Sequence, residues 1–507
     1  MPSRTRNLAA GLAALATSAA LLLSGCSSPA PQTSEEAPTT LRVPVTSAPN
    51  SFAIGYNQGG QNIIQLSVFD TVLSMQKDGS IAPGLATKWE YNEDRTKLTL
   101  DIRQGSKFSN GEPVDAAAVA KSLEAARTGP TQSNELATMS SVAAPDAKTV
   151  VISLSQPDAS VLPRLATING AVAAPSTIGS PDAATKPVGS GPYVLDQERS
   201  QSGSKYVVAK NKDYWRAGDY PFETIEYSVI ADPTAAFNGL RSGQLDFAPV
   251  TADQAKQLPS SQFAMGSDNP TVIGALWIVD REGTILPPLA NIKVRQAINM
   301  AFDRNSMEKV APGVAHGINQ AVNPAGKAYS KDLESTYSYN LEEARKLMAE
   351  AGFKDGFAVT MPSTIASQQY EPVITQSLKD IGITVNWEVV PITDVVAKIL
   401  SKTYPMFYFP NAWGASDAQD LQAITNYGVF NPFTTTTPEL TKLLSEANAS
   451  DKADSFAPVN RYLVENAWNA PLQYMTLPWA HKTSISYSPP AIYRDQNAPW
   501  VWGLPAK

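Results

Sequence analysis

Between residues 357 and 409 the apolar pattern changes period four times. Strand 357–361 gives way to helix 369–381, strand 383–390, helix 392–401 and strand 404–409. A chain that alternates a period of two with a helical period of 3.6 predicts an α/β domain with a largely parallel sheet. The flanking helices carry matching punctuation. Asn340 caps a helix with Glu343 three positions on, and Gly352 ends it where a left-handed residue costs least. Upstream, Val294, Ala297, Ile298, Ala301 and Phe302 fall on one helical face and read as core. Nearer the start, Leu41, Val43 and Val45 alternate as in a strand, as do Leu98, Leu100 and Ile102. Asp115 opens a run of good helix formers from Ala116 to Ala126.

The N-terminus sets a second constraint. Arg4 and Arg6 precede an uncharged, mostly apolar run from Leu8 to Leu23, with small residues before Cys26, the one cysteine in 507 residues. This is the pattern of a secretory signal, and it is too short and too rich in Gly, Ser, Thr and Ala for a bilayer span. Leu23-Ser24-Gly25-Cys26 resembles a bacterial lipobox, in which the cysteine receives a diacylglyceryl group and becomes the mature N-terminus. The resemblance implies a signal peptide at 1–25 and lipidation at Cys26. It also implies an extracytoplasmic protein anchored to the bacterial cell membrane by acyl chains. An ordinary signal peptide that happens to hold a cysteine is the other reading. Residues 27–40, SSPAPQTSEEAPTT, have no aromatic or large aliphatic side chain, so 26–40 is expected to be a lipidated disordered tether.

Composition narrows the partners. Removing 1–25 takes away Arg4 and Arg6 and no acid, leaving 38 basic and 47 acidic residues, a net charge of −9. That balance argues against nucleic acid and against an anionic membrane surface. At 43% hydrophobic, the chain can bury sizeable cores, and with one cysteine those cores must supply stability without an internal disulfide. A monomer is expected.

Several short motifs then follow one another along the chain. They are Phe69-Asp70-Thr71-Val72-Leu73, Pro83-Gly84-Leu85-Ala86-Thr87-Lys88-Trp89-Glu90, and Phe108-Ser109-Asn110-Gly111-Glu112-Pro113-Val114. After these come Val188-Gly189-Ser190-Gly191-Pro192-Tyr193, Asn211-Lys212-Asp213-Tyr214-Trp215 and Gly243-Gln244-Leu245-Asp246. The helix from Val294-Arg295-Gln296-Ala297-Ile298 to Ala301-Phe302-Asp303-Arg304 and the helix from Asn340 to Gly352 follow. Together they resemble the signature of the peptide and nickel class of extracytoplasmic solute-binding proteins of ABC importers, solute-binding family 5. The resemblance implies a two-lobed, type II clamshell of the periplasmic-binding-protein kind. It implies a first lobe from 41–65, 188–275 and 472–507, an extra domain at 66–187 beside it, and a second lobe at 276–471. Thr271 to Val279 and Pro471 to Leu477 would be the hinge strands. Partners would be a membrane permease and its ATPase subunits.

Enzyme motifs fit poorly. Gly414-Ala415-Ser416-Asp417-Ala418 loosely mimics a nucleophile elbow, with His481 as a conceivable base, but the final glycine is missing and Pro410 interrupts the preceding strand. The outside alternative is therefore a secreted serine hydrolase using Ser416 and His481. Ser306-Met307-Glu308-Lys309 and Ser267-Asp268-Asn269 match two penicillin-binding-protein motifs in reversed order and read as chance. No Gly-x-x-x-x-Gly-Lys loop is present for ATP. His316 and His481 are the two histidines, and no Asp-x-Asp-x-Asp-Gly loop offers calcium. No metal site, cofactor or catalytic residue is expected, although a metallophore held through His481 stays open.

Peptide binders of the resembled family carry Trp-x-x-Asp in the second lobe, where the carboxylate pairs with the peptide ammonium. Here the segment is Asn411-Ala412-Trp413-Gly414-Ala415-Ser416-Asp417. Ser416 occupies the aligned position, Asp417 follows one residue later and Asp420 three later still. Two readings stay open. Either Asp417 takes the ammonium and the ligand is a peptide, or the site is neutral at Ser416 and prefers an uncharged solute such as an oligosaccharide. Trp413, Trp468, Trp479, Trp500 and Trp502 could supply aromatic faces to a sugar, or fill cores. Trp413 and Gly414 are expected at the ligand, and Tyr56, Asn57 and Gln58 after the first strand are further candidates.

Overall fold

The computed structural model describes residues 38–56, 62–489, 491 and 498–506. Strand Thr40–Val45 runs parallel to Thr224–Val229, which pairs antiparallel with Lys205–Lys210, followed at the edge by Tyr193–Leu195. A second, antiparallel sheet takes the order Ala86–Tyr91, Lys97–Ile102, Thr149–Leu154, Met139–Ala143. Leu98, Leu100 and Ile102 are buried while the residues between them are exposed, as period-two alternation requires. Helix Ala116–Thr128 packs against this sheet, and the Asp115 carboxylate accepts its Ala118 N–H at 2.9 Å. Side chains from both sheets enter one continuous apolar core.

The short motifs pin this body together. Asp70 is buried and accepts from the Trp215 indole at 2.8 Å and the Tyr214 hydroxyl at 3.3 Å. Burial pushes its carboxyl up to about 6 against these hydrogen bonds. Gly189 and Gly191 lie so close to the preceding segment that a Cβ would stand 2.1 and 2.6 Å from the Val68 carbonyl oxygen. Only glycine permits that approach. Asp246 accepts from Arg42 N at 2.8 Å and from Lys482 Nζ at 2.7 Å, tying the first strand to the last third of the chain.

The second body is built on a four-stranded antiparallel sheet in the order Ala315–Gly317, Ala470–Met475, Val272–Ile278, Met406–Ala412. Ile273, Ala275 and Trp277 face one core of this body, and Leu276 and Ile278 face the other. Coverage of both faces explains why Thr271 to Val279 is almost continuously apolar. Helix Ile292–Met300 and the turn after it bury Val294, Ala297, Ile298, Ala301 and Phe302 at 0–1% exposure. The Asn340 side chain accepts from Glu343 N at 3.0 Å, and Gly352 has φ +88°.

Elements Phe357–Ser363, Glu371–Lys379, Ile383–Val389, Ile392–Leu400 and Met406–Ala412 alternate as the sequence predicts. The sheet is less parallel than expected. Phe357–Ser363 and Ile383–Val389 form a parallel pair, but Met406–Ala412 is drawn into an antiparallel ladder by Val272–Ile278, which enters from the other body.

Three buried arginines brace the chain entering strand Ala470–Met475. Arg281 donates to Trp468 O at 2.8 Å, Arg295 to Ala467 O at 3.3 Å and Arg304 to Pro471 O at 2.8 Å. The chain crosses between the bodies twice, at 268–271 and 476–477. Asp268 N donates to Leu477 O and Thr271 N to Met475 O, both at 3.0 Å, so the two crossings run side by side. Val272–Ile278 therefore lies wholly in the second sheet, and the small sheet Phe247–Pro249, Pro478–Lys482, Phe263–Ser267 lies beyond the crossings.

Candidate functional site

The Trp413–Ser416 turn leaves strand Met406–Ala412 where the bodies meet. Ala412 is paired with Val272 and Val272 with Met475, and Trp413 N donates to Thr271 O at 3.1 Å. Asn323 reaches the same crossing, donating to Pro270 O at 3.0 Å. Ala415 packs into the core of the first body although its neighbours belong to the second. The turn thus bridges the two bodies at the crossing strands.

Its internal bonding is local. Ser416 caps helix Asp417–Thr425, its hydroxyl accepting from Gln419 N at 3.3 Å. Gln419 returns through its side chain to Ala415 N at 2.7 Å, and Asp420 Oδ1 accepts from Gly414 N at 2.6 Å. Asp417 Oδ2 accepts from Ala328 N at 2.7 Å, which joins the helix to the 326–328 turn. Burial raises the Asp417 carboxyl, opposed by the Ala328 and Lys327 amides and the Lys327 charge. Burial pushes Asp420 well above the usual carboxylate range, and the nearby Asp417 charge adds to it, while the Gly414 amide works the other way. Both carboxylates are engaged by backbone amides of the turns they hold.

Trp413 is 2% exposed. Its indole N–H donates to Ala321 O at 2.9 Å and its ring packs 6.5 Å from Tyr474. Its faces serve the core of the second body and shape the turn from behind.

The remaining candidates lie elsewhere. Tyr56 is exposed at 54% on the rim of a cavity of ≈ 260 Å³ whose lining comes from 51–56, Phe69 and 173–188. Asn57, Gln58 and Cys26, with the rest of 1–37, lie outside the described residues. His481 sits on strand Pro478–Lys482, buried, with Nδ1 donating to Lys482 O at 2.8 Å. Burial lowers its pKa, and the ring stacks on Trp479. No hydrogen bond joins it to Ser416. His316 stacks on Tyr474 at 5.0 Å. Among the described residues no three His, Cys, Asp or Glu side chains group as a metal site, and no helix is long and apolar enough to cross a membrane.

Asp268, Trp479 and Tyr487 meet on the other wall of the crossing, where the one ligand-directed signal in the sequence is an acid four residues before the apolar strand Val272–Ile278.

Two α/β bodies joined by paired crossing strands define a two-lobed, type II clamshell binding-protein fold. The chain belongs to the bacterial extracellular solute-binding proteins, family 5, whose middle-region profile matches residues 80–431. The glutathione-binding protein GsiB of Salmonella paratyphi A (strain ATCC 9150 / SARB42) is 28% identical over 327 residues, 62% of this chain and 62% of that protein. The match therefore spans less than two thirds of the relative. Among solved structures, AgaA from A. tumefaciens R10 in complex with agropinic acid superposes with TM-score 0.75 at 22% identity, over 92% of this chain and 99% of that one. DppA from Helicobacter pylori in complex with the peptide STSA gives 0.73 at 19% identity, over 92% and 98%. At these identities the likeness is one of fold.

Proposed function

We propose that this protein is the lipid-anchored receptor of an ABC importer. It captures short peptides between its lobes and delivers them unchanged to a membrane permease driven by separate ATPase subunits. The observation that carries the reading is the position of the 413–416 turn, bonded to the crossing strand at Thr271 and packed against the opposite body at Ala415. A ligand held there touches both lobes and stabilises the closed form by its differential affinity for it. Gly414, Ser416 and Asp417 form the second-lobe wall, with Trp413 and Asp420 shaping it. Tyr56, Asn57 and Gln58 stand as contributors from the first lobe. Cys26 carries the anchor, and the chain acts as a monomer without catalytic residue or cofactor. The glutathione-binding relative and the peptide-bound structural neighbour support a peptide-like ligand.

In this reading the first lobe is 41–65, 188–275 and 472–507 with 66–187 beside it, and the second is 276–471, supported by the paired backbone bonds Asp268 N to Leu477 O and Thr271 N to Met475 O. A second reading, an oligosaccharide or other uncharged solute, is favoured by Ser416 at the aligned position and by the engagement of Asp417 and Asp420 with backbone amides. Native mass spectrometry of ligand co-purified with the full-length protein decides. Peptides are expected, and recovery of sugars alone would remove the peptide reading.

A further inference from the structure

A buried carboxylate is stable when cations or several N–H donors face it. Asp158 has Arg164 and Asp246 has Lys482, while Asp280 accepts from the amides of Thr284, Ile285 and Leu286. Asp268 differs. It is 9% exposed, and among the described residues the donors that face its carboxylate are neutral, with the Tyr487 hydroxyl at 3.2 Å. Among the described residues no Lys, Arg or His pairs with it. The indole N–H of Trp479 lies near enough to favour the charged carboxylate, yet it is buried without a hydrogen-bond partner.

The surroundings are aromatic. Trp479 and Tyr487 meet edge to face at 5.0 Å, Tyr487 packs on Trp502 at 4.6 Å, and Trp479 is half-buried. An unpaired carboxylate beside aromatic faces is the chemistry that holds an ammonium group, by a charge-assisted hydrogen bond and by attraction to the ring.

Its place in the fold fits a ligand group. Asp268 opens the first crossing, and three residues on, Thr271 O accepts from Trp413 N. Three residues of extended chain reach at most about 11 Å, so one short ligand can span from Asp268 to the 413–416 turn. We infer that Asp268, walled by Trp479 and Tyr487, receives the ammonium group of the ligand from the first lobe, in place of a carboxylate at position 416. The inference rests on the peptide reading and deepens it. Recognition of the amine has moved across the cleft, which reconciles a neutral Ser416 with a peptide ligand.

The test is calorimetric titration of the full-length protein in detergent with a panel of di- and tripeptides and their N-acetylated counterparts. Wild type should bind free-amine peptides about 30-fold or more tightly than acetylated ones, the lower end of the cost of losing a buried charge partner. Asp268→Asn should bind both forms alike, at the weak level, with a thermal melt confirming the fold. Asp268→Ser serves as a second variant should the amide fail to fold. If Asp268→Asn keeps the preference, or if Asp417→Asn or Asp420→Asn removes it instead, the inference falls and the peptide reading stands. If wild type binds no free-amine peptide, both fall together.

Discussion

Gln422 donates its side-chain amide to Asp158 Oδ1 at 2.9 Å, joining a helix of the second body to a loop of the first. The same amide reaches Asn448 Oδ1 at 3.0 Å, and that oxygen also accepts from Ala159 N at 3.2 Å. Arg95 pairs with Asp451 on the outer side. Burial works to raise the Asp158 carboxyl, but the Arg164 charge and hydrogen bonds from Ser160, Thr138 and Gln422 outweigh it and hold it below its ordinary value. These bonds connect the bodies through residues outside the two crossings, and under the proposed clamshell action they would break when the lobes part.

Gln422→Leu keeps the bulk of the side chain and removes that bond, while Asp158 retains its partners within the first body. A hydrogen bond to a charged group contributes about 1.5–3 kcal/mol, so ligand affinity should fall about tenfold or more. Small-angle scattering should show a larger radius of gyration at subsaturating ligand. Unchanged affinity and scattering would mean that the contact does not bias closure.

Asp268 gives a pH signature. Burial pushes its carboxyl up to about 7 from 3.8, with the Tyr487 hydroxyl and Trp479 N–H opposing. The native state therefore holds a proton that the unfolded chain has released, and stability is lost as pH rises from about 4 through about 7. Asp268→Asn removes that loss. The variant should match wild type near pH 4 and exceed it by about 2–4 kcal/mol near pH 8 in denaturant melts without ligand. His481 and Lys482 belong to the neighbouring strand, but His481 is buried with a lowered pKa and Lys482 is paired with Asp246, so neither reverses the sign. A variant less stable than wild type near pH 8 would make the residue structural.

Arg304 is surrounded by acceptors. Its guanidinium donates to the carbonyls of Ile318, Pro471, Asn299 and Tyr337 and to Asn299 Oδ1. Arg304→Met leaves these oxygens buried without donors and should cost about 3–5 kcal/mol, comparable to breaking a buried ionic network. Arg304→Lys should recover little of it, because one ammonium cannot reach five acceptors spread around a planar fork. Urea unfolding measures both, and a loss under about 1 kcal/mol for Met would refute the bracing role.

What could be read from the sequence was what local chemistry decides. Asp115 and Asn340 cap helices because the cap bond is made within three residues, and the elements between 357 and 409 followed their apolar periods. The pairing of Met406–Ala412 was hidden because its antiparallel partner comes from the incoming strand Val272–Ile278. The glycines of the 188–193 motif were recognisable, but their cause, the Val68 carbonyl, is a contact made in the fold. Trp413 was legible as part of a glycine-rich turn, yet such a turn does not say which way an indole faces, and this one faces the core. Asp268 gave least warning, since its hydroxyl donor Tyr487 lies 219 residues further on.

Cys26→Ser tests the anchor separately from the clamshell. The proposed receptor role requires staying close to a permease, and a diacylglyceryl group followed by a short polar tether would supply that proximity. Two acyl chains hold a protein stably at a bilayer, where a single chain binds only marginally. The variant should lose incorporation of labelled lipid and leave the membrane fraction. Its purified form should keep the melting temperature and ligand affinity of wild type, since the strands and cores that build the two bodies are made by residues from Thr40 onward. If it stayed in the membrane fraction, anchoring would have to come from elsewhere in the chain, and the lipobox reading would fail without touching the proposal for ligand binding.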